Sequence, residues 1–235
     1  MTNEEKLRIL YTNWRDLEIG FFDIETCDKT PEDPLNDIIQ FSMATFKDGY
    51  KKWDFDIKIR NRNPISEQAT KKAHGITEDM LVDCPYIDEG SEQTEGVSVV
   101  EHIHNLLNSV EVLCAYNGAR FDIVALNRVF ADHGLSDISS IPFIDPFIWY
   151  VMYKKKFSKS KQEDAARDFS VNILGNIAHG EGKLHDSSID IIALHDLTFK
   201  MGVKAISAYT LKDLMQKQDR YVDKINKARQ NNYRF

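Results

Sequence analysis

The stretch IGFFDIETCD, Ile19 to Asp28, sets two carboxylates one residue apart at the end of an apolar run. Ile19, Phe21, Phe22 and Ile24 predict a central, buried strand. On a strand, residues i and i+2 share a face, so Asp23 and Glu25 point the same way from mostly dry surroundings. Two like charges at that spacing need a compensating cation. Oxygen donors without Cys or clustered His suit a hard divalent ion, Mg²⁺ or Mn²⁺. The competing role for a D-x-E at a strand end is a helix cap or a solvated surface, so the pair gains meaning only if further acids converge on it.

Two stretches offer them. In CAYNGARFDIVAL an apolar strand runs into Asn117-Gly118, a turn signal, and then into a helix with Asp122 near its start. Open α/β sheets build their sites just past strand ends. By itself Asp122 could instead complement the positive end of its helix. In KLHDSSIDIIAL, His185 and Asp190 lie five residues apart, about 140° around one helix, which places His185 in a loop and Asp190 in a first turn. Ser187 to Asp190 also reads S-x-x-D, similar to a capping box.

The elements that must carry these groups follow from hydrophobic period. Ile19 to Thr26 and Asp37 to Phe46 read as strands, and in KWDFDIKI the alternation of Trp53, Phe55, Ile57 and Ile59 with polar residues predicts a strand with one buried face. Connections containing Asp and Gly make these three an antiparallel meander. Beyond them come short helices over Ser66 to Ala73 and Thr77 to Leu81, and a longer one over Val99 to Leu107. A buried strand VEVLCAY, a helix from Phe121 to His133 stopped by Gly134, a strand IPFID and a helix over Ser187 to Met201 complete the series. This predicts a mixed α/β sheet, three antiparallel strands and then alternating helices and strands, with helices on both faces. Lys154 to Lys183 fits either loop or helix, and the tail after Lys204 reads as one or two helices.

Together the three acidic stretches resemble the DEDD exonuclease superfamily, in its histidine-bearing DEDDh (DnaQ-like) branch, which includes the proofreading epsilon subunit of bacterial DNA polymerase III. The apolar-D-x-E-T motif is matched by Phe22 to Thr26. N-x-x-F-D is matched by Asn117 to Asp122 with one extra residue in the turn, and H-x₄-D by His185 and Asp190. AHGITEDML resembles the family's H-G-I segment and FIDPFIWY its D-T/S-L step. Tyr116 stands where a His often precedes the Asn, and Pro146 follows Asp145 in place of Thr or Ser.

The resemblance implies a ribonuclease H-like sheet and a 3′–5′ exonuclease that releases nucleoside 5′-monophosphates. Asp23, Glu25, Asp122 and Asp190 would bind two Mg²⁺ or Mn²⁺ ions, and His185 would take the proton of the attacking water. His74, Gly75 and Ile76 would pack on the terminal nucleotide, with Thr26, Asn117 and Phe121 beside it. For His74 a structural role at a helix end competes with this. The implied partners are 3′ ends of single-stranded DNA or RNA, with DNA favoured, and a DNA polymerase if the activity serves proofreading. An RNA-trimming enzyme of the same family, or a non-catalytic module that binds nucleic acid or a polymerase, are the alternatives. A haloacid dehalogenase-type phosphatase, which also begins with an acid pair after an apolar strand, needs Asp where Glu25 stands.

Length and composition bound these expectations. A chain of 235 residues, 42% hydrophobic and 29% charged, suits one core, here an exonuclease domain over residues 1–203 with a basic helical extension over 204–235 packed on it. The formal charge of -7 is unevenly spread: Glu78 to Glu95 holds seven acids and no Lys or Arg, whereas Lys204 to Arg234 holds eight bases against three acids. Lys154, Lys155, Lys156, Lys159 and Lys161, interleaved with Phe157, could track phosphates or form a solvated loop. Three cysteines without a CxxC pair argue against a disulfide framework or a thiolate metal site. The absence of a long apolar run predicts a cytoplasmic protein that does not span a membrane.

Overall fold

The structure, a computed structural model, describes residues 2–154, 161–171, 187–202 and 210–230. Its centre is a five-stranded sheet formed by β1 (Ile19–Thr26), β2 (Ile38–Lys47), β3 (Tyr50–Lys58), β4 (Val112–Cys114) and β5 (Phe143–Ile144), in the order β3-β2-β1-β4-β5. The first three run antiparallel, while β4 is parallel to β1 and β5 to β4. The mixed α/β sheet expected from the sequence is the one observed.

Alternation along β1 explains why it lies in the middle. Ile19 and Phe21 enter one apolar cluster and Phe22 and Ile24 the other, so both faces of the strand are buried. The first face is covered by α5 (Pro146–Lys154), α6 (Gln162–Asp168), α7 (Ser187–Met201) and α8 (Leu211–Gln230), with Trp149, Leu194, Leu197 and Leu214 packed on it. The second is covered by α3 (Val99–Asn108) and α4 (Asp122–Asp132), through Val100, Ile103, Leu107, Leu126 and Phe130. Each such fully buried side chain contributes about 1.5–3 kcal/mol of transfer free energy. Among the described residues α1 (Asn3–Tyr11) packs on α8, and the short α2 (Glu67–Ala69) and two 3-10 turns, Trp14–Asp16 and Glu78–Leu81, are further helical elements. A π-type turn over Thr70–His74 prolongs α2 and ends at Gly75, whose φ of 72° suits glycine.

Two expectations differ in extent. VEVLCAY forms ladder pairs only over Val112–Cys114, and IPFID only over Phe143–Ile144, because the chain leaves the sheet for a turn at Asn117 and a helix after Asp145. In the tail the described residues form one helix of 20 residues, within the one or two expected. Within Lys154 to Lys183 the described part is the end of α5, then Lys161 and α6; Lys155, Lys156, Phe157 and Lys159 lie outside the described residues, as does His185. Among the described residues no helix is long and apolar enough to cross a membrane.

Candidate active site

Strand β1 delivers Asp23 and Glu25 on the face that Ile19 and Phe21 fill with apolar packing further back. They emerge where α7, lying across β1 and β2, begins. That helix buries Ile191, Leu194 and Leu197, and its first turn carries Asp190 to the same place. Asp122 arrives from the opposite direction, as the first residue of α4. It is buried, and its Oδ1 accepts the backbone N–H of Ile24 at 3.2 Å. The four carboxylates therefore come from three elements and line one cleft of about 490 Å³. Among the described residues no three acids, imidazoles or thiols close into a ready-made ion cluster; the acids share the cleft walls.

The electrostatics report that proximity. Asp23 is pushed well above the usual carboxylate range, first by burial and then by repulsion from Glu25, Asp122 and Asp190. Burial, then Asp190 and Asp122, raises Glu25 to about 8. Asp122 rises to about 7 through burial, opposed by the hydrogen bonds from the Ile24 and Asp122 backbone. A divalent cation bound by oxygen would relieve all of these at once, so the donor set fits such an ion.

The remaining predicted residues divide. Thr26, His74, Asn117 and Phe121 reach the cleft wall beside the acids. Thr26 donates its hydroxyl to the Asp28 carbonyl at 2.6 Å, which fixes the chain as it leaves β1. His74 accepts the Ile76 N–H at Nδ1 (3.0 Å), so Nε2 bears the proton and donates to the Thr26 carbonyl at 3.2 Å. Both ring nitrogens thus bind backbone, tying the helical turn to the strand end. Ile76 is buried in a small cluster with Cys27, Ile39 and Leu81, while Gly75 is exposed.

Further groups line or brace the site, of which Phe147, Gln162 and Lys29 had no distinct sequence signal. Tyr116 and Phe147 meet edge to face at 5.7 Å and supply apolar wall. Gln162 donates to the Asp190 carbonyl at 2.8 Å, joining α6 to the start of α7. Lys161 and Lys29 also reach the cleft, whereas Lys154 pairs with Asp168 at 2.5 Å. Asp145 is buried and accepts the amides of Asn117 (2.9 Å), Phe147 (3.1 Å) and Ala119 (3.4 Å). Only its place in the FIDPFIWY step hinted at it.

A family profile described as Exonuclease, of the RNase T type, matches residues 21–198, which include all four carboxylates. The chain belongs to the exonuclease family. It is a nuclease of the DnaQ-like superfamily, a hydrolase acting on nucleic acid, and members of that family use divalent metals. Solved structures agree in fold. Exonuclease X in complex with 5′-overhanging duplex DNA is 19% identical with a TM-score of 0.56, over 85% of this chain and 99% of that one. The zinc-bound complex of E. coli exonuclease I with single-stranded DNA is 14% identical with a TM-score of 0.62, over 86% of this chain and 43% of that one. Product-bound exonuclease I is 13% identical with a TM-score of 0.58, over 91% and 47%. The exonuclease thus spans nearly all of the first and less than half of the other two. The shared fold is the ribonuclease H-like sheet. No curated protein sequence matches significantly.

Proposed function

We propose that this exonuclease is of the DEDDh type, similar to the epsilon subunit, and removes nucleotides from the 3′ end of single-stranded nucleic acid, DNA in preference to RNA. The observation that carries the reading is the delivery of Asp23, Glu25, Asp122 and Asp190 by β1, α4 and α7 to one cleft. The DNA complexes of exonuclease X and exonuclease I support DNA as the substrate.

The four carboxylates would hold two Mg²⁺ or Mn²⁺ ions. Bound there, such ions supply an activated water and positive charge for the leaving 3′ oxygen. Asp122 is kept in orientation by the Ile24 N–H. His185 takes the proton of the attacking water on a ring nitrogen, a task matched to an imidazole near neutral pH. Tyr116, Phe121 and Phe147 offer faces on which the terminal base stacks, beside Asn117. His74 serves chiefly by holding Thr26, since both its nitrogens are engaged. Residues 204–235 belong to the same unit as residues 1–203, as the contacts of α8 with α5, α1 and β5 support.

Single-stranded DNA, duplex DNA and RNA of one sequence, each 5′-labelled, are incubated with the protein and Mg²⁺ or Mn²⁺. The expected result is a ladder shortening from the 3′ end, fastest on single-stranded DNA, with nucleoside 5′-monophosphates as product. Faster shortening of RNA would move the substrate to RNA. No 3′ shortening of any of the three would overturn the reading.

A further inference from the structure

Strand β5 is the edge of the described sheet, two residues long, and its outer side faces helix α8. On its inner side the carbonyls of Pro142, just before β5, and Ile144 accept the amides of Leu113 on β4 and of Ala115 just after it (2.9 and 3.4 Å). The polar groups of Phe143 and Asp145 therefore face the opposite side, where a further strand would pair with them. Gln218 of α8, itself buried, takes that position. Its Nε2 donates to the Phe143 carbonyl at 3.1 Å, and its Oε1 accepts the Asp145 N–H at 2.9 Å. One side-chain amide thus reproduces the two hydrogen bonds that one residue of a neighbouring parallel strand would make.

This contact leads straight into the site. With its backbone fixed, Asp145 extends its carboxylate to the amides of Asn117, Ala119 and Phe147. Asn117 has a φ of 62°, uncommon for a residue with a side chain, and the buried carboxylate fastens the turn in that shape. The turn then feeds α4: the Ile123 amide donates to the Gly118 carbonyl at 2.9 Å, immediately after Asp122. A hydrogen-bonded path therefore runs from Gln218 through Asp145 and the Asn117 turn to the start of α4, which holds Asp122.

We propose that Gln218 and Asp145 are positioning residues that let the C-terminal helix set the Asn117 turn, and with it Asp122, for catalysis. Removing the amide of Gln218 frees the β5 edge while every cleft-lining acid remains. The kinetic half of this inference rests on the exonuclease reading; the half concerning the turn does not.

The test uses the full chain with Gln218→Met, which keeps length and apolar packing, Asp145→Ala, Asp145→Asn, and Asp219→Ala as an exposed control on the same helix. Asn at 145 retains the oxygen that meets the Asn117 and Phe147 amides. Backbone amide exchange is read residue by residue, together with kcat and KM on single-stranded DNA. Expected for Gln218→Met and Asp145→Ala is exchange at Asn117 and Ala119 at least tenfold faster. Amides in β1 and β2 stay protected, and kcat falls roughly 10–100-fold, the penalty of a small misplacement, with KM within about threefold. Asp145→Asn restores protection at Asn117 and most of kcat, while Ala119, which meets the other oxygen, stays fast; Asp219→Ala changes neither readout. Unchanged exchange at Asn117 and Ala119 in folded Gln218→Met and Asp145→Ala would overturn the proposal, and so would a loss of protection spread evenly over the sheet. If the wild type does not shorten DNA, the exonuclease reading fails, while the exchange data still decide whether Gln218 sets the turn.

Discussion

Asp122 accepts the backbone N–H of Ile24 at 3.2 Å, so the carboxylate of α4 is tied to the residue between Asp23 and Glu25. This hydrogen bond, between residues 98 apart in the chain, links the third acid to the strand that carries the other two. Asp122→Asn keeps an oxygen for that bond but removes the charge. It is expected to leave the melting temperature of the metal-free protein unchanged or higher, because a buried, repelled carboxylate is gone, while activity falls by two or more orders of magnitude. Calorimetry in chelator and a cleavage assay on the same preparation check both halves.

Metal binding should appear as stabilisation. If the carboxylates hold the ions, Mn²⁺ at a hundred times its dissociation constant stabilises the wild type by about 2.7 kcal/mol, roughly 5–10 °C in melting temperature for a chain of this size. Asp23→Asn and Asp122→Asn should lose most of that rise. An equal rise in all three proteins would place the ion elsewhere.

Asp145 gives a pH dependence. Burial raises its pKa to about 7, against the amides of Asn117, Ala119 and Phe147, which lower it. The folded protein then holds this proton more tightly than the unfolded chain. Its contribution to stability is complete below the unfolded value near 4 and is lost as pH rises through 7. Metal-free protein should therefore melt at lower temperature at pH 8.5 than at pH 5.5, and Asp145→Asn should reduce that fall. A steeper fall in the variant would contradict the assignment.

The turn before Asp122 tolerates little added volume. A Cβ on Gly118 would come within 2.5 Å of the Ala115 Cβ and 3.0 Å of the Phe143 ring. Gly118→Ala is expected to destabilise the protein by about 1–3 kcal/mol, typical of overpacking, and to lower kcat by displacing Asn117. Urea unfolding and steady-state kinetics measure the two effects.

Thiol reactivity follows burial. Burial raises all three thiols, Cys27 to about 12, but Cys27 and Cys114 are buried whereas Cys84 is only half-buried and open to reagent. Iodoacetamide at pH 8 should add one label to the native protein, at Cys84, and three after denaturation, by intact mass.

What could be read from the sequence was whatever depends on local period. The alternation of Ile19 and Phe21 with Phe22 and Ile24 marks β1 as buried on both faces, and the same run ends in the acid pair. Helix α7 covers the expected residues, Ser187–Met201, with Ile191, Leu194 and Leu197 recurring at helical spacing on its buried side. The lengths of β4 and β5 were overestimated, since an apolar run shows burial and not where hydrogen bonding ends. The contact of Asp145 with Gln218 had no local pattern for a different reason: the two meet across 73 residues of chain, and only Asp145, through the FIDPFIWY step, was marked at all. The engagement of both His74 nitrogens by backbone likewise depends on the turn that brings β1 beside it.

The most direct measurement is single-turnover shortening of 5′-labelled single-stranded DNA in Mn²⁺ by wild type, Asp190→Asn and Asp23→Asn, each shown to be folded. A 3′-shortening ladder with the wild type, slowed at least a hundredfold in both variants, is what a shared carboxylate site predicts. Wild-type rates in either variant, or no shortening by the wild type, would contradict it.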